Sequence, residues 1–153
     1  MLGTILGTMR RLTLLALCCM AGCVSQGAIP SIRNDISIPS QDAIQLLRQG
    51  KPKLIDTRTP TERSARRIFD SVSIPFGPDQ WTGDVTEQEK NIFLTQVTAA
   101  GLTQDDLIVT VCNAGVRALS AATFLRSAGF TRVHSVIGGY IGNHSDPGWQ
   151  FSQ

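Results

Sequence analysis

Residues 107–111 read Leu-Ile-Val-Thr-Val, and Cys-Asn-Ala-Gly-Val-Arg follows at once before a helical stretch begins. Four of those five residues are β-branched and none is charged. Such a run packs best with both faces covered, as a central strand of a parallel sheet. Shorter runs of the same kind recur at residues 36–38, 53–56, 72–74 (closed by Pro75) and 133–137. Helical apolar spacing fills the gaps. Ser40 is placed to cap a helix through Ala43, Ile44, Leu46 and Leu47 that stops at Gly50. Ile92, Phe93, Val97 and Ala100 mark a second helix within residues 86–100, and Leu119, Ala122, Phe124, Leu125 and Ala128 a third that stops at Gly129. Strands alternating with helices predict an α/β fold in three layers, a mainly parallel sheet with helices on both faces.

In that architecture ligands bind beyond the carboxyl ends of the strands. Two polar clusters fall there: Asp56-Thr57-Arg58 after the second strand and residues 112–117 after the strongest one. A short loop curling into a helix start turns several backbone N–H groups inward, making a concave site of partial positive charge. A thiol at its centre is favoured as thiolate, so Cys112 is expected to be a reactive nucleophile open to solvent. Gly115 supplies the positive φ that closes the ring. Asn113, Ala114 and Val116 complete it, and Arg117 adds a fixed positive charge that closes the ring or faces an incoming anion.

Cysteine usage agrees. Arg10 and Arg11, the apolar run at residues 12–20 and the small pair Ala21-Gly22 have the pattern of a secretory signal. The apolar run falls well short of the roughly 20 residues that span a bilayer. Met9 stands directly before the arginines as an alternative start. Met20-Ala21-Gly22-Cys23 resembles a bacterial lipobox. That resemblance implies a signal over residues 1–22, a lipid on Cys23, a polar tether over residues 24–34 and a domain over residues 35–153. It also implies an exported lipoprotein at the periplasmic face, with Val24 resembling the outer-membrane pattern. Cys18 and Cys19 would leave with the signal, so Cys112 would remain without a disulfide partner. Arg10 and Arg11 are two of the 14 basic residues, and the remaining 12 balance 12 acidic ones. A neutral domain gives no reason to expect a nucleic-acid partner.

The ordered set Leu54-Ile55-Asp56-Thr57-Arg58-Thr59-Pro60 with Glu62, residues 72–75, the 112–117 loop and Gly138-Gly139 resembles the rhodanese family of sulfurtransferases. The resemblance implies five strands and a Cys112 that cycles between thiol and persulfide. An anionic donor such as thiosulfate would load it, and cyanide, a small thiol or a protein thiol would unload it, with no cofactor. It departs from the family at residues 66–71, where Arg66 and Arg67 stand beside the expected site. They are read either as an attraction for anions or as part of a solvated helix face. A cysteine and an arginine at a helix start also describe phosphatases and arsenate reductases, but those loops place five residues between the two and this one places four. A domain that carries sulfur without efficient turnover is the other alternative.

Three residues support the loop. Asp56 is a candidate to pair with Arg117 or the loop amides, or else to cap its strand. Arg58 is a candidate to meet a substrate anion or to pair with Glu62. His134 and His144 lack neighbouring ligand residues, so no metal site is expected. Trp81 and Trp149 are expected to cover core edges. Asn143-His144-Ser145 matches a glycosylation sequon that an exported bacterial chain does not use.

Overall fold

The computed structural model describes residues 35–50 and 52–151. The expected signal, the expected lipidation of Cys23 and the expected tether concern residues outside that range.

Five strands make one parallel sheet: β1 (Ser37–Ile38), β2 (Lys53–Asp56), β3 (Ser71–Ser73), β4 (Ile108–Val111) and β5 (Val133–Val136). Their order is β1-β5-β4-β2-β3, so β4 lies at the centre, as its composition predicts. Helices α1 (Ser40–Arg48), α2 (Pro60–Ala65), α3 (Glu87–Ala99) and α4 (Val116–Ser127) connect the strands, and a 3-10 turn covers Trp149–Phe151.

The side-chain alternation of the strands divides the core into two. Ile55, Ile108 and Val133 face Phe93 and Val97 of α3 and Ala121, Ala122 and Leu125 of α4. Leu54, Val109, Val111 and Val136 face Ala43, Ile44 and Leu46 of α1, with Ile68 and Trp149. The small residues of α4 let it lie close to the sheet, and Thr110 donates from its buried hydroxyl to the Ala118 carbonyl at 2.9 Å. Leu119, expected in the core, is exposed, and Ala118 and Ala121 are buried instead. The helix begins two residues earlier than expected, and its buried stripe is set by the close approach to the sheet rather than by side-chain size.

Ser40 does not cap α1. Pro39 holds that position, and Ser40 donates from its hydroxyl to Asp146 across the molecule while its amide donates to the same carboxylate at 2.8 Å. Chain connectivity defines the place of greatest interest. From β2 the chain moves outward to β3, and from β4 it moves the opposite way to β5. The carboxyl ends of β2 and β4 therefore flank the crevice where the winding direction reverses. Asp56 pairs in register with Val111, the residue before Cys112.

Candidate active site

Cys112 leaves the end of β4 and the chain turns within three residues into α4. Gly115 makes the turn possible at φ +98°, and a Cβ there would run into the Ile137 carbonyl oxygen. Its N–H donates to Cys112 Sγ at 3.1 Å.

The rest of the loop is oriented from behind. The Cys112 carbonyl accepts from the Tyr140 amide at 2.7 Å and the Asn113 carbonyl from the Ile141 amide at 2.9 Å. The Ala114 carbonyl accepts from the Asn143 side-chain amide at 3.3 Å. A trans peptide points its N–H opposite to its C=O, and no described peptide bond is cis. With three successive carbonyls drawn outward, the N–H groups of Asn113, Ala114 and Gly115 turn toward the loop interior. This is the inward-facing arrangement expected from the sequence, and it depends on the segment after β5. Gly139, at φ +59°, lies so close that a Cβ would meet the Gly115 nitrogen at 2.6 Å and the Asn113 carbonyl at 2.7 Å. Asn143 also donates to the Ile137 carbonyl at 2.8 Å, while its side-chain oxygen accepts from the Ser145 and Asp146 amides. The sequon reading missed this role, and no local sequence signal announces it.

Cys112 is 3 % exposed, not open as expected. The left-handed turn at Gly115 folds the loop over the sulfur. Yet Cys112 belongs to neither apolar core cluster. It accepts the Gly115 N–H, and the loop that follows carries the exposed Ala114 and Val116, with Asn113 half-buried.

The charged residues sort differently from expectation. Asp56 pairs with Arg58, which donates through Nη2 to Oδ2 at 2.8 Å and through Nε to Oδ1 at 3.0 Å, and Arg63 Nε approaches the same carboxylate at 3.5 Å. It pairs with neither Arg117 nor the loop amides. Arg58 is 1 % exposed, its guanidinium over the Tyr140 ring at 4.7 Å. It does not meet Glu62; its Nη2 donates instead to the Arg66 carbonyl at 2.8 Å. The short reach from Arg58 back to Asp56 in the loop after β2 wins over the longer one to α2.

Glu62 is the partner of Arg117, accepting from Nη1 at 2.7 Å. It arrives there because Thr59-Pro60-Thr61-Glu62 forms a capping box. Thr59 Oγ1 accepts from the Glu62 amide, and Glu62 Oε2 accepts from the Thr59 amide at 2.8 Å. The same oxygen thus caps α2 and holds Arg117. Partial burial pushes the Glu62 carboxyl up, but the hydrogen bonds from Thr59 and Arg117 outweigh it and hold its pKa below the ordinary 4.5. Arg117, buried in the first turn of α4, also lies near the Thr57 carbonyl and under Trp81, and its Nε has no hydrogen-bond partner. Arg66 and Arg67 are exposed, but in the extended segment after α2 rather than on a helix.

Taken together, the crevice holds a buried thiol that accepts the Gly115 N–H, and the helix that follows carries in its first turn the Arg117 guanidinium held by Glu62. The rhodanese-like domain family model matches residues 40–144. Thiosulfate sulfurtransferase 18 of Arabidopsis thaliana is 35% identical over 116 residues, which cover 73% of this chain and 82% of that protein. The senescence-associated protein DIN1 of Raphanus sativus is 32% identical over 120 residues; the match covers 78% of this chain but only 63% of the radish protein. Among solved structures, the human single-domain sulfurtransferase TSTD1 superposes with a TM-score of 0.52 at 25% identity, covering 69% of this chain and 91% of that one. A polysulfide-sulfur transferase homodimer from Wolinella succinogenes shares the fold at a TM-score of 0.51 and 24% identity, covering 69% and 70%. On the strength of the match across residues 40–144 and of these relatives, the chain belongs to the rhodanese-like domain family.

Proposed function

We propose that the protein is a sulfurtransferase in which Cys112 takes a sulfane sulfur from an anionic donor and passes it to a thiophilic acceptor. The observation that carries this reading is the Gly115 N–H on Cys112 Sγ, inside a loop whose carbonyls are all tied outward. With thiosulfate, the Cys112 thiolate attacks the outer sulfur and forms a new S–S bond. The old S–S bond breaks, and sulfite leaves with its electron pair. Cyanide then attacks the outer sulfur of the persulfide, thiocyanate departs, and the pair returns to Sγ as thiolate. The Gly115 N–H on Sγ would serve both the thiolate that attacks and the one that is restored, so the reading invokes no separate base. Arg117, held by Glu62 near the Thr57 carbonyl, adds positive charge at the first turn of α4 that would attract the entering or departing anion.

Two features argue for sulfur transfer over phosphoryl transfer. Four residues separate Cys112 from Arg117, a narrower ring than a tetrahedral phosphoryl group needs. Asp56 and Glu62, the carboxylates beside the crevice, are both engaged by arginines, so neither is placed as a free acid for a leaving group.

Intact mass spectrometry of the protein treated with thiosulfate is expected to show one added sulfur per chain, removed by cyanide with thiocyanate released over many turnovers. Cys112→Ser abolishes both; a variant that still turns over ends the proposal. A single stoichiometric sulfur without turnover identifies a carrier instead. The lipobox-like segment supports action at a membrane surface, and fatty-acid labelling that persists in Cys23→Ser refutes that placement.

A further inference from the structure

Beside the loop lies an open groove of about 390 Å3 lined by Arg66, Arg67, Phe69, Tyr140 and Gln150. Phe69 is 84 % exposed. The turn that displays it is built into the fold. Ile68 is buried in the core, Asp70 takes a left-handed φ of +58°, and Ser71 donates to the Ile68 carbonyl at 2.7 Å. The chain therefore anchors one side of Phe69 and presents the ring outward. Arg66 and Arg67 are exposed and make no ion pair among the described residues, and no carboxylate lines the groove. One hydrogen bond ties the groove to the reactive loop, and a second ties it to the Arg58 guanidinium beside Asp56. The Tyr140 amide donates to the Cys112 carbonyl, and the Arg58 guanidinium over the Tyr140 ring donates to the Arg66 carbonyl.

We propose that this groove docks the sulfur acceptor, and that the acceptor is an acidic, cysteine-bearing peptide segment of a partner protein. This rests on the sulfurtransferase reading and names its second substrate. An exposed aromatic ring sharing a groove with arginines is the composition on which protein contacts concentrate their binding energy. Guanidinium groups without counter-charge select carboxylates. A segment held there places its thiol at the loop rim. Its thiolate attacks the outer sulfur of the Cys112 persulfide, the S–S bond to Sγ breaks, and its electron pair returns to Cys112. The acceptor leaves as a persulfide, with no other oxidant or reductant involved.

The test loads the wild-type protein with sulfur from thiosulfate and follows discharge of the persulfide. The acceptors are a peptide whose cysteine is flanked by aspartates, the same peptide with asparagines, mercaptosuccinate and cyanide. The aspartate peptide is expected to discharge the wild type at least tenfold faster than the asparagine peptide. That advantage disappears in Arg66→Ala/Arg67→Ala and in Phe69→Ala, while cyanide discharge is unchanged in both variants. All three residues are exposed, so folding is not at stake. Equal rates for the two peptides overturn the proposal, as does a uniform slowing of all acceptors in the variants. Mercaptosuccinate matching the aspartate peptide, with the same dependence on the arginines, assigns the groove to small anions and overturns the peptide. A wild type that forms no persulfide, or that cyanide cannot discharge, defeats the sulfurtransferase reading itself.

Discussion

Gly139→Ala separates the cost of an awkward backbone from the cost of pressing on the reactive loop. At φ +59° an alanine gives up about 1–2 kcal/mol relative to glycine. Its Cβ would also meet the Gly115 nitrogen at 2.6 Å and the Asn113 carbonyl carbon and oxygen at 2.7 Å. All are main-chain atoms that cannot rotate aside, and overpacking of this kind costs a further ~1–3 kcal/mol. The expected total is about 2–5 kcal/mol. Gly101→Ala supplies the reference, since Gly101 has φ +77° and nothing within 4 Å of the added carbon. It pays only the backbone cost. At about 4 °C per kcal/mol for a domain of this size, Gly139→Ala melts ~8–20 °C lower and Gly101→Ala ~4–8 °C lower. The atoms displaced by the Gly139 change carry the N–H groups that face the sulfur. Alkylation of Cys112 and turnover with thiosulfate and cyanide, measured well below both melting points, should therefore fall tenfold to a hundredfold, roughly what a misplacement near 1 Å costs. Gly101→Ala leaves both unchanged. Equal melting losses in the two variants, or full thiol reactivity in folded Gly139→Ala, refute the claim that the segment after β5 sets the loop geometry.

Asp56→Ala leaves the buried Arg58 guanidinium without its carboxylate and is expected to cost about 3–5 kcal/mol by denaturant titration; a loss under ~1 kcal/mol would mean that the pair is solvated. The Glu62 pKa is lowered in the folded state, so its contribution is present above the ordinary 4.5 and is lost as pH falls through the folded value. Stability curves of wild type and Glu62→Gln should accordingly converge in that acid range and separate above it; parallel curves down to pH 3 contradict the assignment. Asn143→Asp keeps an acceptor for the Ser145 and Asp146 amides but sets a carboxylate oxygen against the Ala114 and Ile137 carbonyls. It should slow Cys112 alkylation about tenfold and more than Asn143→Ala does, and the reverse ranking would show Asn143 to be only a turn residue.

The sheet was legible because its signals are local. The β-branched run before Cys112 marks a buried central strand, and the apolar spacing after it marks a helix, although Leu119 was expected in the core where Ala118 and Ala121 lie. Those two facts alone place the loop at the strand's carboxyl end. Partners were not legible in the same way. Arg58, Arg63 and Arg117 all lie within a long side chain's reach of Asp56 or Glu62, and sequence order does not rank them. The capping-box pattern Thr59-Pro60-Thr61-Glu62 was a usable signal. It fixes where the Glu62 carboxylate must be, and among the described residues Arg117 of α4 is the arginine that pairs with it. Asn143 gave no signal, because its role is to bond two carbonyls that only the folded chain brings near it.

The enclosure of Cys112 bears on the order of events rather than against reactivity. A cysteine buried among aliphatic side chains would be inert, but this one accepts the Gly115 N–H and belongs to neither apolar cluster. What enclosure limits is the size of the group that touches Sγ. A sulfane donor reaches it with a single projecting atom. On the proposed reading, a loaded outer sulfur would lie about 2 Å beyond Sγ, and the exposure of Ala114 and Val116 leaves the loop rim open to a bulkier acceptor. On the proposed sulfurtransferase reading, the same loop would admit a narrow donor to the inner sulfur and present the transferred atom to a wide acceptor. A bulky alkylating reagent should thus react more slowly with the free thiol than with the persulfide, while a small one reacts readily with both.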